Sequence, residues 1–507
     1  MDAPQPGRAS VAAKHKSTSF LEHTATYAVA NLARRLVGFL MLPIYTRFLT
    51  PADYGVIGLM VFTLSLFEPI VGARLGAAVP KFYFAAPEGR ERRTVIWSAL
   101  GLTSAVSALG MVALMLLRKF GSEVIFGDSK YALALGLFSV NLVTRPLEDA
   151  GMVYLQMHSR SRLFFGISIT KLLLQVALNV LFVVVWREGV LGVVLSGVIS
   201  SIALGVGLTL YVAACEAPAF DWPMTRTMVR FCWPLWFSGL AVLYIGSAGG
   251  IYLRVLDSLS AVGRLEIALR FAAVVGMVIW TPFSQHWTPM SYRLFKEVDG
   301  ARKFQVAFTG IAVALFLGGL GVSIFAQPVI RLIATKPFYA AAAVVPILTF
   351  GFVLNSLRGF FSFSFLATGQ TKVSSVCQYV TAAVITVAYL LLIPRYGLMG
   401  AAVAQCFAFA ASFVYTRQLS RRYYDPGFSL ASVGIFSVVS ISAYLCANVF
   451  LPAEPLATDL LIKSAIWLVA AVVLTTIGVR TICAIDASAL ENLPWPLDRL
   501  SRLAVER

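Results

Sequence analysis

The sequence predicts an all-α integral membrane protein of about 14 transmembrane helices, in two six-helix lobes related by pseudo-twofold symmetry plus a C-terminal helix pair. Three observations lead there. Of 507 residues, 59% are apolar and only 13% charged, and mean hydropathy is +0.81; a soluble chain of this length does not need so much apolar sequence. The apolar residues come in runs of about 20, the length a bilayer core demands, where every backbone N–H and C=O must be paired within its own span. Finally, the chain echoes itself. Arg187, Gly189 and Gly192 return 208 residues on as Arg395, Gly397 and Gly400. Gly55 returns 208 on as Gly263, and Pro80 and Tyr83 return 209 on as Pro289 and Tyr292. These positions keep their order and lie at the ends of apolar runs. Parallel repeats of this kind build transporters with a site between the lobes.

The elements follow in chain order. Residues 1–24 are a polar, basic cytoplasmic segment, without the short apolar core and small-residue cleavage site of a signal peptide. Spans are predicted at 25–48, 54–79, 95–117, 131–157, 163–186 and 190–213, forming an N-lobe over 25–213. A C-lobe over 229–418 repeats them at 229–253, 265–288, 305–327, 339–368, 373–394 and 398–418. Spans 430–451 and 460–483 have no partner in the repeat and form the appended pair, 430–483, before a cytoplasmic tail, 484–507. The loops leave no room for a soluble domain. One set of loops and termini carries 23 lysines and arginines against 10 on the other side, which predicts that both termini are cytoplasmic.

Much of the +17 net charge is therefore a topology signal, and no nucleic-acid partner is expected. The six cysteines are scattered and form no CxxC; the four histidines are dispersed. No metal site or cofactor is predicted. There is no GxxxxGK[ST] loop and no GxSxG elbow, so neither ATP hydrolysis nor serine hydrolase chemistry is expected, and the chain reads as a non-enzyme. Gly318, Gly319 and Gly321 read as helix packing inside a span.

Eight basic residues fall within spans: Arg34, Arg35, Arg74, Arg145, Lys171, Arg270, Arg358 and Lys463. A cation at the bilayer centre costs about 2.5–3.5 kcal/mol on insertion scales, so each requires a reason. Arg74, Arg270 and Lys463 lie near span ends and can snorkel. Arg34, Arg35, Arg145 and Arg358 lie too deep for that. Arg145 has Glu148 and Asp149 on its own helical face and reads either as a self-neutralised knot or as a binding group. Lys171 reads as an interfacial anchor or as a cavity liner. Glu266 and Arg270 are spaced as a local pair. Glu68 reads as a structural partner of Arg34 or Arg35, or as an ion-coupling site. The candidate cationic cavity thus comprises Arg34, Arg74, Arg145, Lys171, Arg270 and Arg358. It suits an anionic cargo, since arginine grips phosphate oxygens in a fork. Pro43, Pro69, Pro146, Pro234, Pro282 and Pro346 lie inside spans, where a proline removes a helical hydrogen bond; they read as hinges or as static kinks.

The run Leu42-Pro43-Ile44-Tyr45-Thr46-Arg47-Phe48-Leu49-Thr50-Pro51-Ala52-Asp53-Tyr54-Gly55 closely resembles the first-loop signature of the Wzx-type polysaccharide flippases. Gly76-Ala77-Ala78-Val79-Pro80-Lys81-Phe82-Tyr83, Tyr154-Leu155-Gln156-Met157 and Leu366-Ala367-Thr368-Gly369-Gln370-Thr371-Lys372 resemble the ends of that family's second, fourth and tenth helices. Gly189-Val190-Leu191-Gly192 and Gly397-Leu398-Met399-Gly400 resemble two of its turns. The resemblance spans roughly residues 25–420 and implies the polysaccharide transporter branch of the multidrug/oligosaccharidyl-lipid/polysaccharide exporter superfamily. It implies flipping of an undecaprenyl-pyrophosphate-linked oligosaccharide across the bacterial inner membrane by alternating access, for O-antigen, capsule or exopolysaccharide synthesis. Membrane lipids and polysaccharide polymerase and co-polymerase proteins are the partners this implies. Two other exporters of the superfamily stay open, a lipid II flippase and a cation-coupled multidrug exporter. A scarcity of deep carboxylates disfavours the latter. A membrane glycosyltransferase is disfavoured by the absence of a DxD motif and of any long loop.

Overall fold

Backbone pairing dictates the architecture. A chain surrounded by hydrocarbon can satisfy its amides only as helices or as a closed barrel, and among the described residues helices are the only regular elements. The computed structural model describes residues 39, 41–71, 75–87, 89–158, 160–450 and 456–486. The N-terminal segment, most of the predicted first span and the end of the tail lie outside them. The chain divides into two compact units, Met1–Leu243 and Tyr244–Arg507.

Unit 1 contains α1 (Leu42–Phe48), α2 (Pro51–Val71), α3 (Leu75–Ala85), α4 (Arg90–Leu116), α5 (Arg118–Phe126), α6 (Ala132–Phe138), α7 (Asn141–Met157), α8 (Ser161–Asn179) and α9 (Gly189–Cys215). The unit boundary falls within α10 (Trp222–Leu256). Unit 2 continues with α11 (Leu259–Val275), α12 (Thr281–Leu294), α13 (Gly300–Ile333), α14 (Ala341–Ala367), α15 (Thr371–Ser420), α16 (Leu430–Leu445) and α17 (Leu456–Ile485). π-helical turns extend α8 over Val180–Val185 and α16 over Cys446–Phe450, and one joins α11 to α12 over Gly276–Trp280. Nine helical stretches among the described residues are long and apolar enough to cross a membrane. The longest, α15, holds two predicted spans, broken at Gly397 (φ 50°).

The predicted fourth span is two helices, because its backbone tightens between them. Val140, Leu142 and Val143 donate to carbonyls three residues back, at 3.1, 2.9 and 3.1 Å, while Ser139 Oγ and Asn141 Nδ2 bond the carbonyls of Gly136 and Phe138. Such a 3₁₀ stretch inside a helix marks strain or a hinge. Its repeat counterpart, α14, carries Pro346, 208 residues after Phe138. Pro146 also lies inside its helix. Pro43 occupies a first turn, where no N–H is needed, and Pro282 directly follows the π turn that joins α11 to α12.

The repeat is visible in local geometry within each unit. Thr50 and Asp53 form a reciprocal cap at the start of α2 (Thr50 Oγ1 to Asp53 Oδ2, 2.7 Å; Asp53 N to Thr50 Oγ1, 3.2 Å). Ser258, 208 on, caps α11 by accepting the Ala261 N–H at 3.2 Å. Gly189 and Gly397 both take left-handed φ, 56° and 50°, a conformation glycine adopts without steric cost. Gly192 and Gly400 then pass against the preceding helix end. A Cβ on Gly192 would stand 2.9 Å from the Phe182 carbonyl oxygen, and one on Gly400 would collide with that of Leu392.

Packing relies on small residues and polar ties, as expected where lipid removes the hydrophobic drive between helices. α7 and α9 meet through Gly151, set against Leu208, and Gly205, set against the Thr144 carbonyl. Buried Asn179 accepts from Tyr45 Oη and Ser196 Oγ, both at 2.9 Å, tying α1 and α9 to α8. In unit 2, Tyr244 Oη meets Tyr252 Oη at 2.9 Å and Thr386 Oγ1 at 2.5 Å. Gly318 and Gly321 are packing glycines, against Ile279 and Trp467. An aromatic core of Trp287, Phe304, Phe308, Phe360, Phe361 and Phe428 fills unit 2.

Beside that core, Arg417, counted above among loop cations, is only 2% exposed and sits over the faces of Phe361 and Phe428. Its Nη1 and Nη2 donate to Asp425 at 2.6 and 3.1 Å, clasping the end of α15 to the loop before α16. Partial burial works to raise the Asp425 carboxyl, but the Arg417 hydrogen bonds, the Gly427 N–H and the Arg421 charge hold it below the ordinary aspartate value. A depressed folded-state value stabilises above the unfolded pKa, and that stability is lost as pH falls through the folded value. Asp425→Asn should cost about 3 kcal/mol, because it strands a buried guanidinium. Melting in detergent should fall, and the loss of stability below about pH 4 should flatten; an unchanged melting curve would remove the clasp.

Candidate functional site

A guanidinium held in the membrane interior can be tolerated when a carboxylate neutralises it, or when its role is to bind an anion. The structure sorts the predicted cations by that criterion. Arg34 and Arg74, and the side chain of Glu68, lie outside the described residues. The other four candidates are placed two in each unit.

In unit 1, Arg145 is half-buried on α7, directly before Pro146 and after the tightened backbone at Ser139–Val143. Of its two alternatives, the self-neutralised knot does not form through Glu148. Glu148, 2% exposed, is turned to α8, where Lys171 Nζ donates to its Oε1 at 2.6 Å and also to its Oε2. The reason is reach. The flexible lysine stem crosses the α7–α8 gap and spends both carboxylate oxygens, while burial makes this pairing the less costly one. Lys171 is therefore no interfacial anchor but one half of an interhelical ion pair. Among the described residues no carboxylate stands within ion-pair distance of Arg145.

In unit 2, Arg358 is half-buried on α14, the repeat counterpart of the helix pair α6–α7. Its Nε donates to Asn355 Oδ1 at 3.2 Å, and Ser362 Oγ donates to its backbone carbonyl at 3.3 Å. No carboxylate among the described residues pairs with it, so both terminal nitrogens of its fork are free of acid. Arg270 lies on α11, one turn after Glu266, which feels its charge. Lys463, expected to snorkel, is instead 2% exposed and paired with Asp459 at 2.9 Å.

Among the described candidate residues, Arg145 and Arg358 thus have no acid partner, and they lie on equivalent helices, one after a tightened turn and the other after an internal proline. The glycine contacts of α7 with α9 fix Arg145's helix; Gly351 against Cys406 does the same for α14 and α15. Chemically such groups can grip phosphate oxygens and hold them without a protonation step. One further feature was not legible in the sequence. A cavity of about 70 Å³ lies among α13, α14 and α16, where Thr349 Oγ1 and Ser440 Oγ are buried without a hydrogen-bond partner. Two lone hydroxyls on separate helices leave no pattern in a linear sequence.

The sequence profile of the polysaccharide biosynthesis protein family matches residues 20–295. Among solved structures, the chain is similar to a lipid II flippase, MurJ, in its inward closed conformation. The TM-score is 0.68 and identity 14%, over 88% of this chain and 98% of that one. It is also similar to an inward-facing multidrug resistance transporter of the MATE family in the MOP superfamily. There the TM-score is 0.60 and identity 13%, over 81% of this chain and 99% of the other. At such identities the likeness shows a shared fold of multi-pass membrane transporters. No curated protein sequence matches significantly.

Glu148→Gln should strand Lys171 and cost up to about 3 kcal/mol, read as a lower melting temperature in detergent. Adding Lys171→Met should restore most of it. A single variant as stable as the parent would show the pair to be energetically idle.

Proposed function

The chain belongs to the polysaccharide biosynthesis protein family, and from that premise we propose that it flips a lipid-linked oligosaccharide across the bacterial inner membrane by alternating access. The cargo is an undecaprenyl-pyrophosphate-linked glycan destined for O-antigen, capsule or exopolysaccharide, and both termini are cytoplasmic. One observation carries the reading: Arg145 and Arg358, on repeat-related helices, are half-buried within predicted spans, and no carboxylate among the described residues neutralises either. An anionic headgroup supplies the missing charge, and an arginine fork matches the oxygens of a phosphate group. Arg34, Arg74 and Arg270 are further candidates for cargo contact. Lys171, already engaged by Glu148, orients α8 against α7 and leaves cargo contact to Arg145. The tightened segment before Arg145 and Pro346 before Arg358 are the bending points that carry each arginine from one side to the other. An organic-cation exporter would need the opposite charge in these places.

Arg145→Ala and Arg358→Ala should each abolish polymer export at normal protein level. Arg358→Lys, which keeps charge but not the fork, should export partially. Normal export in both alanine variants would remove the guanidinium site. Complementation of strains lacking an O-antigen, exopolysaccharide or lipid II flippase identifies the glycan class; rescue of the lipid II strain alone would assign the cargo to cell-wall synthesis.

A further inference from the structure

Arg358 is held in a way that Arg145 is not. Asn355, one turn earlier on α14, accepts from its Nε at 3.2 Å, whereas the same offset before Arg145 is occupied by Leu142. A guanidinium tied through Nε keeps its terminal pair, Nη1 and Nη2, as a fork of known direction. The next residue, Gly359, is a notch for an indole. A Cβ there would stand 2.5 Å from Cζ2 of Trp280, 2.9 Å from its Cη2 and 3.6 Å from its Cε2. Any larger residue at 359 would displace the ring.

Trp280 is delivered by a different element. It is the last residue of the π turn Gly276–Trp280, where Thr281 Oγ1 donates to the Gly276 carbonyl at 2.9 Å; widened turns of this kind recur at functional sites. Phe283 and Phe360 flank the indole, with ring centres 5.8 and 6.1 Å away. Because Cε2 carries the ring nitrogen, the N–H edge of the indole lies beside Gly359. Asn355 sits one turn back on the same stripe of α14. Arg358, Asn355 and Trp280 are all half-buried. Among the described residues no acceptor takes Arg358 Nη1 or Nη2, Asn355 Nδ2 or Trp280 Nε1. Ser362, further along that face, turns its hydroxyl to the Arg358 carbonyl. A donor shielded from water and left unbonded costs about 1–3 kcal/mol. Donors gathered without acceptors therefore complement a ligand rich in acceptors.

We propose that Asn355 is the positioning residue that presents the Arg358 fork, and that the Trp280 N–H joins that fork in a donor-lined subsite for the phosphate oxygens of the cargo. The fork takes the anionic oxygens, and the indole edge closes one side of the subsite with a neutral donor. The π turn and the Gly359 notch bring that edge within reach of a group bound to Arg358. The inference rests on the transport reading above and adds to it the residues that orient the headgroup.

The test is equilibrium binding of fluorescent polyprenyl diphosphate to the full chain in phosphatidylcholine nanodiscs, alongside melting in detergent. Asn355→Asp keeps the side-chain shape but sets a carboxylate against the guanidinium. Binding should weaken at least about tenfold, the loss of a charge-assisted hydrogen bond, while the melting temperature holds or rises. Trp280→Phe, which keeps a ring but loses the N–H, should weaken binding about two- to tenfold. Excess inorganic pyrophosphate should displace the probe; failure to do so assigns binding to the prenyl chain and overturns the subsite. Parental affinity in Asn355→Asp, or weaker binding that tracks a lowered melting temperature, overturns the positioning role. Parental affinity in Trp280→Phe removes the indole from the subsite. If Arg358→Ala abolishes export while Asn355→Asp binds and exports as the parent does, this inference falls and the transport reading stands. Weak binding by Asn355→Asp with normal export by both alanine variants does the reverse.

Discussion

The structure depends on one constraint: a charge removed from water must find its counterpart inside the protein. Glu148 with Lys171, Arg417 with Asp425 and Lys463 with Asp459 meet it locally. The first two join elements that lipid-facing surfaces alone would leave loosely associated, since acyl chains offer apolar helices no reason to prefer one another; the third lies within α17. Against that rule, Arg145 and Arg358 stand out. Their electrostatic partner is absent from the described chain, and a cargo with mobile negative charge is the economical way to supply it.

The two units solve the same problem with different side chains. The first helix of each repeat is tied to its fifth by Tyr45 and Asn179 in one unit and by Tyr244, Tyr252 and Thr386 in the other. The turn into the sixth helix uses the same pair of glycines in both. Backbone geometry is repeated more faithfully than polar chemistry, because a turn tolerates few residues whereas a hydrogen bond can be rebuilt from many.

Most of the fold was legible in the sequence, because bilayer thickness and backbone pairing leave long apolar runs and turn glycines that a linear reading detects. Where chain direction is set by distant contacts, it was not legible. Glu148 has Arg145 one turn away, yet a lysine on the next helix claims it; intrahelical spacing cannot reveal competition across a helix gap. Arg417 looked like a loop cation because its partner, Asp425, lies beyond a turn, at a separation no helical periodicity predicts.

The π turn at Gly276–Trp280 has a consequence for the symmetry itself. Gly55 and Gly263 are 208 apart, whereas Pro80 and Pro289 are 209 apart, and the chain from Leu259 to Leu294 is helical throughout. With no loop to absorb it, the surplus amino acid is housed in the widened turn. In a regular helix one added residue would rotate everything after it by about 100°, whereas the widened turn takes it up locally. One half of the duplication thus carries an extra residue while the side chains beyond it keep the faces they hold in the other half.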